Sequence, residues 1–226
     1  MTPEAASTNY LDATSAEVDA AVERAQKRQE GSGQAAEAAV PEYWERLRRE
    51  VEDSGLAADI RHIVHDLHAH PETAFEEYRS QQVLCDLLER HGHDVVRGVY
   101  GVETAFSTSI SSPGYESGRH PRVVIMAEYD ALPGIGHACG HNVIAAAGVG
   151  AFLGAAGSGS GRIVFLGTPA EEGHTGKEYM IRGGMLDDVD CAVMIHPFSY
   201  DLVSHVWVGR RTLTATFTGV PAHASM

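Results

Sequence analysis

The feature that most constrains the fold is an alternation, from residue 95 onward, of short apolar runs with helical segments. The apolar runs are rich in β-branched residues and are bounded by turn residues, which is typical of buried strands. Strands that alternate with helices predict an α/β fold, a three-layer structure with a largely parallel sheet and helices on both faces. The predicted strands are 95–96, 102–109, 123–127, 163–167, 191–195 and 203–208, and the predicted helices include 78–90, 142–156 and 177–182.

Ionisable residues follow these apolar runs directly. Asp130, the pair Glu171–Glu172 and His196 each come after a predicted strand, and Cys139 and His141 lie in the loop after Asp130. Open α/β sheets bind ligands outside the carboxyl ends of their strands. We therefore expect these side chains to meet at one edge of the sheet.

The residue types at this edge suit a metal ion. Cys139 and His141 stand two apart in Gly-His-Ala-Cys-Gly-His-Asn, and a thiolate, imidazoles and carboxylates are the ligands of Zn²⁺-like ions. A catalytic ion keeps one position open for water. Of two adjacent glutamates, one can then bind the ion while the other takes a proton from the water.

Each residue alone also has a structural interpretation. An adjacent glutamate pair is usually a solvated patch, and His196 could be a core histidine. Cys85 and Cys191 sit among apolar neighbours and are predicted to be small buried hydrophobic residues. Cys139 differs because glycines and histidines surround it. The combination, rather than any member, favours a metal site.

Composition excludes several other classes of function. The net charge is −14, from 31 acidic and 17 basic residues, which argues against nucleic-acid and anionic-membrane partners. The three cysteines are widely spaced, so no disulfide framework is predicted. No signal peptide or membrane-length apolar stretch is evident, and a cytoplasmic protein is expected.

Several ordered motifs together resemble the M20 family of metallopeptidases and amidohydrolases. Within that family the likeness is to the branch of aminobenzoyl-glutamate hydrolases and M20 domain-containing protein 2 dipeptidases. The motifs are Leu-His-Ala-His-Pro-Glu at 67–72, Ala-Glu-Tyr-Asp-Ala-Leu-Pro at 127–133, Gly-His-Ala-Cys-Gly-His-Asn at 136–142, Gly-Thr-Pro-Ala-Glu-Glu-Gly at 167–173, and Asp188 through His196-Pro197.

The resemblance implies a role for each site residue. It implies four metal ligands, Cys139, His141, Glu172 and His196. Glu171 matches the general base, and Asp130 matches an acid that orients a ligand. His223 matches a lid histidine that stabilises the oxyanion of the reaction. The expected cofactor is Zn²⁺, with Mn²⁺ or Co²⁺ as options, bound as one or two ions, because Glu128 stands where many relatives outside this branch carry a histidine ligand.

The resemblance also implies an activity and a domain plan. The expected reaction is hydrolysis of the amide bond of small dipeptides or N-acyl amino acids. Residues 1–40 form an N-terminal extension, 41–210 a zinc-peptidase-like catalytic domain, and 211–226 the start of an α+β lid through which relatives dimerise. Because the sequence stops inside that lid, a catalytically incomplete fragment or a non-enzymatic remnant is the alternative.

Overall fold

The computed structural model describes the central part of the chain. The described residues are Glu23, Glu45, Arg48, Arg49, Val51, Glu52, 55–155, 161–199, Asp201 and 215–220. The helices and strands from Leu56 to Val193 lie in the compact unit Val40–Ser199, whereas the second unit, Met1–Ala39 with Tyr200–Met226, falls almost wholly outside the described residues. The predicted strand 203–208 and most of the predicted extension and lid are outside them too. Among the described residues, no helix is both long and apolar enough to cross a membrane.

The described elements follow the predicted alternation. The helices are α1 (Leu56–Ala69), α2 (Tyr78–Arg90), α3 (His141–Ala155) and α4 (Gly176–Arg182), with a 3₁₀ turn at Val99–Gly101. The strands are β1 (Val95–Arg97), β2 (Phe106–Ser111), β3 (Arg122–Ala127), β4 (Arg162–Gly167) and β5 (Cys191–Val193). The predicted helices end within a residue or so of the observed ones, and the largest shift is in β2, which begins four residues later than predicted because 102–105 is a turn.

The five strands form a single mixed sheet in the order β1-β2-β4-β3-β5. β3 pairs in parallel with both β4 and β5, whereas β2 runs antiparallel to β1 and to β4. The expectation of a largely parallel sheet is therefore wrong for the β1–β2 side. The short connection from β1 to β2 carries no crossover helix, so β2 returns antiparallel.

Helices cover both faces of the sheet, which confirms the three-layer α/β prediction. Alternate residues of β4 enter different cores, Phe165 on one face and Val164 with Leu166 on the other. The first core contains buried residues of α1, α2 and α3, and the second contains Met180 of α4. The strand period thus separates two hydrophobic layers with the sheet between them.

Helix α3 lies unusually close to the sheet. A methyl group placed on Gly148 would be 2.8 Å from the Ala127 Cβ and 2.9 Å from a ring carbon of Phe165. The Asn142 amide donates to the Val64 carbonyl at 3.0 Å, which ties the start of α3 to α1. These contacts hold the first residue of α3, His141, at the carboxyl end of β3.

Candidate metal centre

The carboxyl ends of the parallel strands bring the predicted residues together. The β3–β4 register ends with Ala127 opposite Gly167, and the Thr168 N–H donates to the Ala127 carbonyl at 2.8 Å. The segments 128–130 and 170–172 therefore leave the sheet side by side, and His196 follows β5 on the other side of β3. The predicted meeting at one sheet edge is confirmed.

Asp130 is the hydrogen-bonding centre of this edge. The side chain is buried, and its Oδ1 lies 2.9 Å from the His141 Nδ1. Its Oδ2 accepts the backbone N–H of Glu172 at 2.7 Å. When the ring is neutral and its Nδ1–H donates to Asp130, the lone pair of the His141 imidazole is on Nε2. The Asp130 carboxylate thus orients the His141 imidazole and positions residues 170–172, the glutamate loop.

Carboxylates surround the Nε2 atom of His141. The Glu128 Oε2 is 3.3 Å from it, the Glu172 Oε1 3.8 Å and the Glu171 Oε2 3.9 Å. The ring of His196 meets that of His141 edge to face, with centroids 5.8 Å apart. Ligand atoms fall into two groups within 4.8 Å of one another, Glu128 with His141 and His196, and His141 with Glu171 and Glu172.

Cys139 lies beside these groups and contacts Glu172. A hydrogen bond to the Glu172 carboxylate, together with burial, raises the pKa of the Cys139 thiol to about 11. Gly140 has a φ of 79°, and a methyl group there would be 3.0 Å from the Pro197 ring, so glycine lets the Cys139 loop approach the segment after His196. The structure thus gathers all four predicted ligands, with Cys139 at the margin.

The two adjacent glutamates occupy different environments. The Glu172 side chain is 15% exposed, whereas that of Glu171 is 45% exposed. Ala170 before them has a positive φ of 60°. Both side chains place an oxygen near the His141 Nε2, at 3.8 Å for Glu172 and 3.9 Å for Glu171. Burial raises the pKa of the Glu171 carboxyl, and the charges of Glu128 and Glu172 raise it further. Glu171 is therefore the better placed of the two to exchange a proton with a bound molecule.

The residues present fit a divalent metal ion. The His141 Nε2 and Glu128 Oε2 atoms are buried and have no hydrogen-bond partner among the described residues. Burial would lower the pKa of His141, but the Asp130 hydrogen bond and the charge of Glu128 raise it overall. A cation between these atoms would satisfy both, and thiol, imidazole and carboxylate are zinc ligands.

Sequence reasoning assigned no site role to two other residues that contact the site. The Lys177 ammonium pairs with the Glu128 carboxylate, and the buried Glu77 accepts the Ala170 N–H and the Thr104 hydroxyl, each at 2.8 Å. Neither contact has a spacing signal, because the partners are distant in sequence. His223 lies outside the described residues, and its lid role stays a prediction.

Comparison with known proteins agrees with this geometry. A profile of peptidase family M20/M25/M40 matches residues 124–219, the segment that contains the candidate centre. A p-aminobenzoyl-glutamate hydrolase polypeptide from Escherichia coli is 33% identical over 200 residues. The chain belongs to the M20 family. This match covers 76% of the chain and 40% of the E. coli protein.

Two further comparisons give one sequence relative and one solved structure of similar fold. The Xaa-Arg dipeptidase of Mus musculus is 36% identical over 168 residues, which cover 69% of the chain and 38% of the mouse protein. A Bacillus subtilis structure, described as a dinuclear metal binding peptidase from the M20 family, aligns with a TM-score of 0.55 at 23% identity. That alignment covers 62% of the chain and 42% of the B. subtilis protein. The chain thus spans less than half the length of these relatives.

Proposed function

We propose that this chain carries the metal-binding part of a hydrolase that cleaves the amide bond of small dipeptides or N-acyl amino acids. The substrate class is supported by the names of two relatives, a p-aminobenzoyl-glutamate hydrolase and an Xaa-Arg dipeptidase. The cytoplasmic location and the lid-mediated homodimer expected from the sequence stay predictions.

The proposed metal ligands are Cys139, His141, Glu172 and His196. Their donor atoms favour Zn²⁺, and Mn²⁺ or Co²⁺ suit such a mixed set as well. The B. subtilis relative is described as binding two metal ions, which supports a site for one or two ions in this chain. Because the Cys139 thiol pKa is raised to about 11 by its bond to Glu172, uptake of an ion has to displace that proton.

The proposed chemistry assigns separate tasks to the neighbouring acids. A bound ion would polarise the substrate carbonyl and make a water molecule more acidic. Glu171 takes the proton of the attacking water and passes it to the leaving amine. Asp130 holds the His141 ring and the Glu172 backbone in place for this exchange. His223 is proposed to stabilise the oxyanion from the lid.

The observation that carries the proposal is the double contact of Asp130. A buried acid that orients a histidine at 2.9 Å and accepts from the backbone of a glutamate at 2.7 Å is an arrangement that prepares ligands. An ordinary surface patch of acids would not need it. The exposed Glu171 next to the shielded Glu172 adds the division into base and ligand.

The test is Glu171→Gln in the zinc-loaded chain. We expect metal content to be unchanged and turnover of p-aminobenzoyl-glutamate or an arginine-terminated dipeptide to fall by about 10²–10⁴-fold, because the proton acceptor is lost. Glu178→Gln is the matched control, since Glu178 is an exposed acid paired with Arg182 on α4. Metal content is read by atomic emission and turnover by release of the free amine.

Two outcomes would count against the proposal. Retained turnover in Glu171→Gln would remove Glu171 as the base. No hydrolysis of either substrate by the unsubstituted chain after zinc loading would favour the alternative, a catalytically incomplete chain.

A further inference from the structure

Glu128 is a buried acid at the centre that the set of four ligands leaves without a task. Its side chain is 2% exposed and lies directly after β3. One carboxylate oxygen, Oε1, contacts the Lys177 ammonium from the start of α4. The other oxygen, Oε2, has no hydrogen-bond partner among the described residues. One carboxylate oxygen therefore has a cationic partner, whereas the other lacks a hydrogen-bond donor.

The uncompensated oxygen points at a second unsatisfied atom. Oε2 of Glu128 is 3.3 Å from the His141 Nε2, which is buried and also without a hydrogen-bond partner in the described part of the chain. When the His141 ring is neutral and its Nδ1–H donates to Asp130, the two facing atoms each present a lone pair. When the ring is protonated, its Nε2–H faces the carboxylate and the two groups form an ion pair. With a neutral ring the contact is unfavourable in a buried place unless a metal ion lies between the atoms, and an ion bound there takes the position of the Nε2 proton.

The separation of these two atoms matches that of neighbouring ligands on one ion. Tetrahedral zinc with bonds of about 2.0–2.1 Å holds adjacent ligand atoms about 3.3–3.4 Å apart. His196 supplies a third donor atom within 4.8 Å of both. In the His196 ring, Nδ1 lies 2.9 Å from the Pro197 carbonyl oxygen. When Nδ1–H donates to that oxygen, Nε2 is the ring nitrogen whose lone pair can bind a metal ion.

The ion pair with Lys177 alone explains less of this arrangement. Lys177 is 23% exposed, and it accounts for Oε1 alone. A salt bridge that only stabilised the fold would gain from engaging both oxygens, since a buried unpaired carboxylate oxygen costs free energy. The ammonium instead fixes the carboxylate so that a single oxygen faces His141.

We propose that Glu128 is itself a metal ligand, binding one ion through Oε2 together with His141 and His196. This inference rests on the proposed function, since it requires that the centre binds a metal. It adds a carboxylate ligand to the four residues identified from the sequence. It also gives Lys177 a task, to hold Oε1 and offset one negative charge in this acidic cluster.

The test is a Co²⁺ titration of the metal-free 226-residue chain, followed by visible absorption and by competition with a chromophoric chelator. Absorption reports the ligand geometry around Co²⁺, and competition gives the dissociation constant. Glu128→Gln keeps the side-chain shape and removes the charge, whereas Glu128→Asp keeps the charge and withdraws it by one methylene. Glu178→Gln is the control, an acid of α4 that pairs with Arg182. Circular dichroism establishes that each variant is folded.

We expect both Glu128 variants to bind Co²⁺ at least about tenfold more weakly, with a changed absorption spectrum, while the control matches the unsubstituted chain. If Glu128→Gln fails to fold, Glu128→Asp decides the result. A folded Glu128 variant with unchanged affinity and spectrum overturns the inference and leaves the proposed function intact. An unsubstituted chain that takes up no Co²⁺ overturns both.

Discussion

Glu77 offers the sharpest test of how the protein holds its glutamate loop. This acid is fully buried, and its two oxygens accept the Ala170 N–H and the Thr104 hydroxyl, each at 2.8 Å. Ala170 has a left-handed backbone with a φ of 60° and directly precedes Glu171. Glu77→Ala removes the acceptor that holds this strained residue in place.

The expected cost follows from the two donors that lose their partner. A buried donor without an acceptor costs about 1–3 kcal/mol, so the pair costs about 2–6 kcal/mol. Removal of a buried carboxylate offsets part of this cost, and we expect a net loss of about 2–4 kcal/mol. For a domain of this size, that lowers the melting temperature by about 5–15 °C. Glu77→Gln should cost less, since its amide can accept from Ala170 and donate to Thr104.

The assay is thermal and urea unfolding followed by circular dichroism. Glu76→Ala is the matched control, because Glu76 is the exposed neighbour of Glu77. Burial raises the pKa of Glu77 above its ordinary value of 4.5 in the folded chain. The folded chain therefore binds the Glu77 proton more tightly than the unfolded chain does. The free energy of unfolding that comes from this tighter binding is present below pH 4.5 and is lost as pH rises through the Glu77 pKa of the folded chain. The stability of the unsubstituted chain relative to Glu77→Gln should fall over that range.

The reasoning would be refuted if Glu77→Ala unfolded at the same temperature and urea concentration as Glu76→Ala. An unchanged relative stability of Glu77→Gln across the acid range would refute the pKa argument alone.

The remaining predictions concern packing and thiol reactivity. Gly148→Ala should destabilise the chain by about 1–3 kcal/mol in urea unfolding, because the new methyl meets Ala127 at 2.8 Å. In Gly150→Ala the methyl meets only the flexible end of the Ile60 side chain, so stability should stay within about 1 kcal/mol; equal losses in the two variants would contradict this explanation. Cys85 is buried, which raises its thiol pKa to about 12, whereas Cys191 is exposed. Alkylation at about pH 8 with peptide mass spectrometry should label Cys191 in the folded chain and Cys85 only after unfolding, and early labelling of Cys85 would be the contrary result.

Much of the layout could be predicted from local pattern. The helical period of 78–90 and the apolar runs before Asp130 and Glu171 predicted α2, β3 and β4 closely, because period and burial are properties of neighbouring residues. The residue types proposed as metal ligands could also be recognised from the sequence, because Cys139, His141 and the glutamate pair lie in short motifs. Strand direction at β2 was wrong because pairing depends on connections that the local pattern does not report.

Cys191 shows that the local pattern of a sequence also fails to predict burial. Its apolar neighbours predicted a buried thiol, yet all three residues of β5 are exposed, and β5 lies at the end of the strand order in the described part of the chain. The pattern of a strand does not say whether another layer covers its side chains.

The sequence by itself determined that thiol, imidazole and carboxylate side chains follow strands of an α/β sheet. Only the tertiary structure decided their contacts: Asp130 joined to His141 and Glu172, Lys177 against Glu128 from 49 positions away, and Glu77 on the Ala170 N–H from 93 positions away. The physical reason is the range of the interactions. A ligand motif extends over only a few residues of sequence. The hydrogen bonds that orient its side chains depend on which buried surfaces the packed layers bring together.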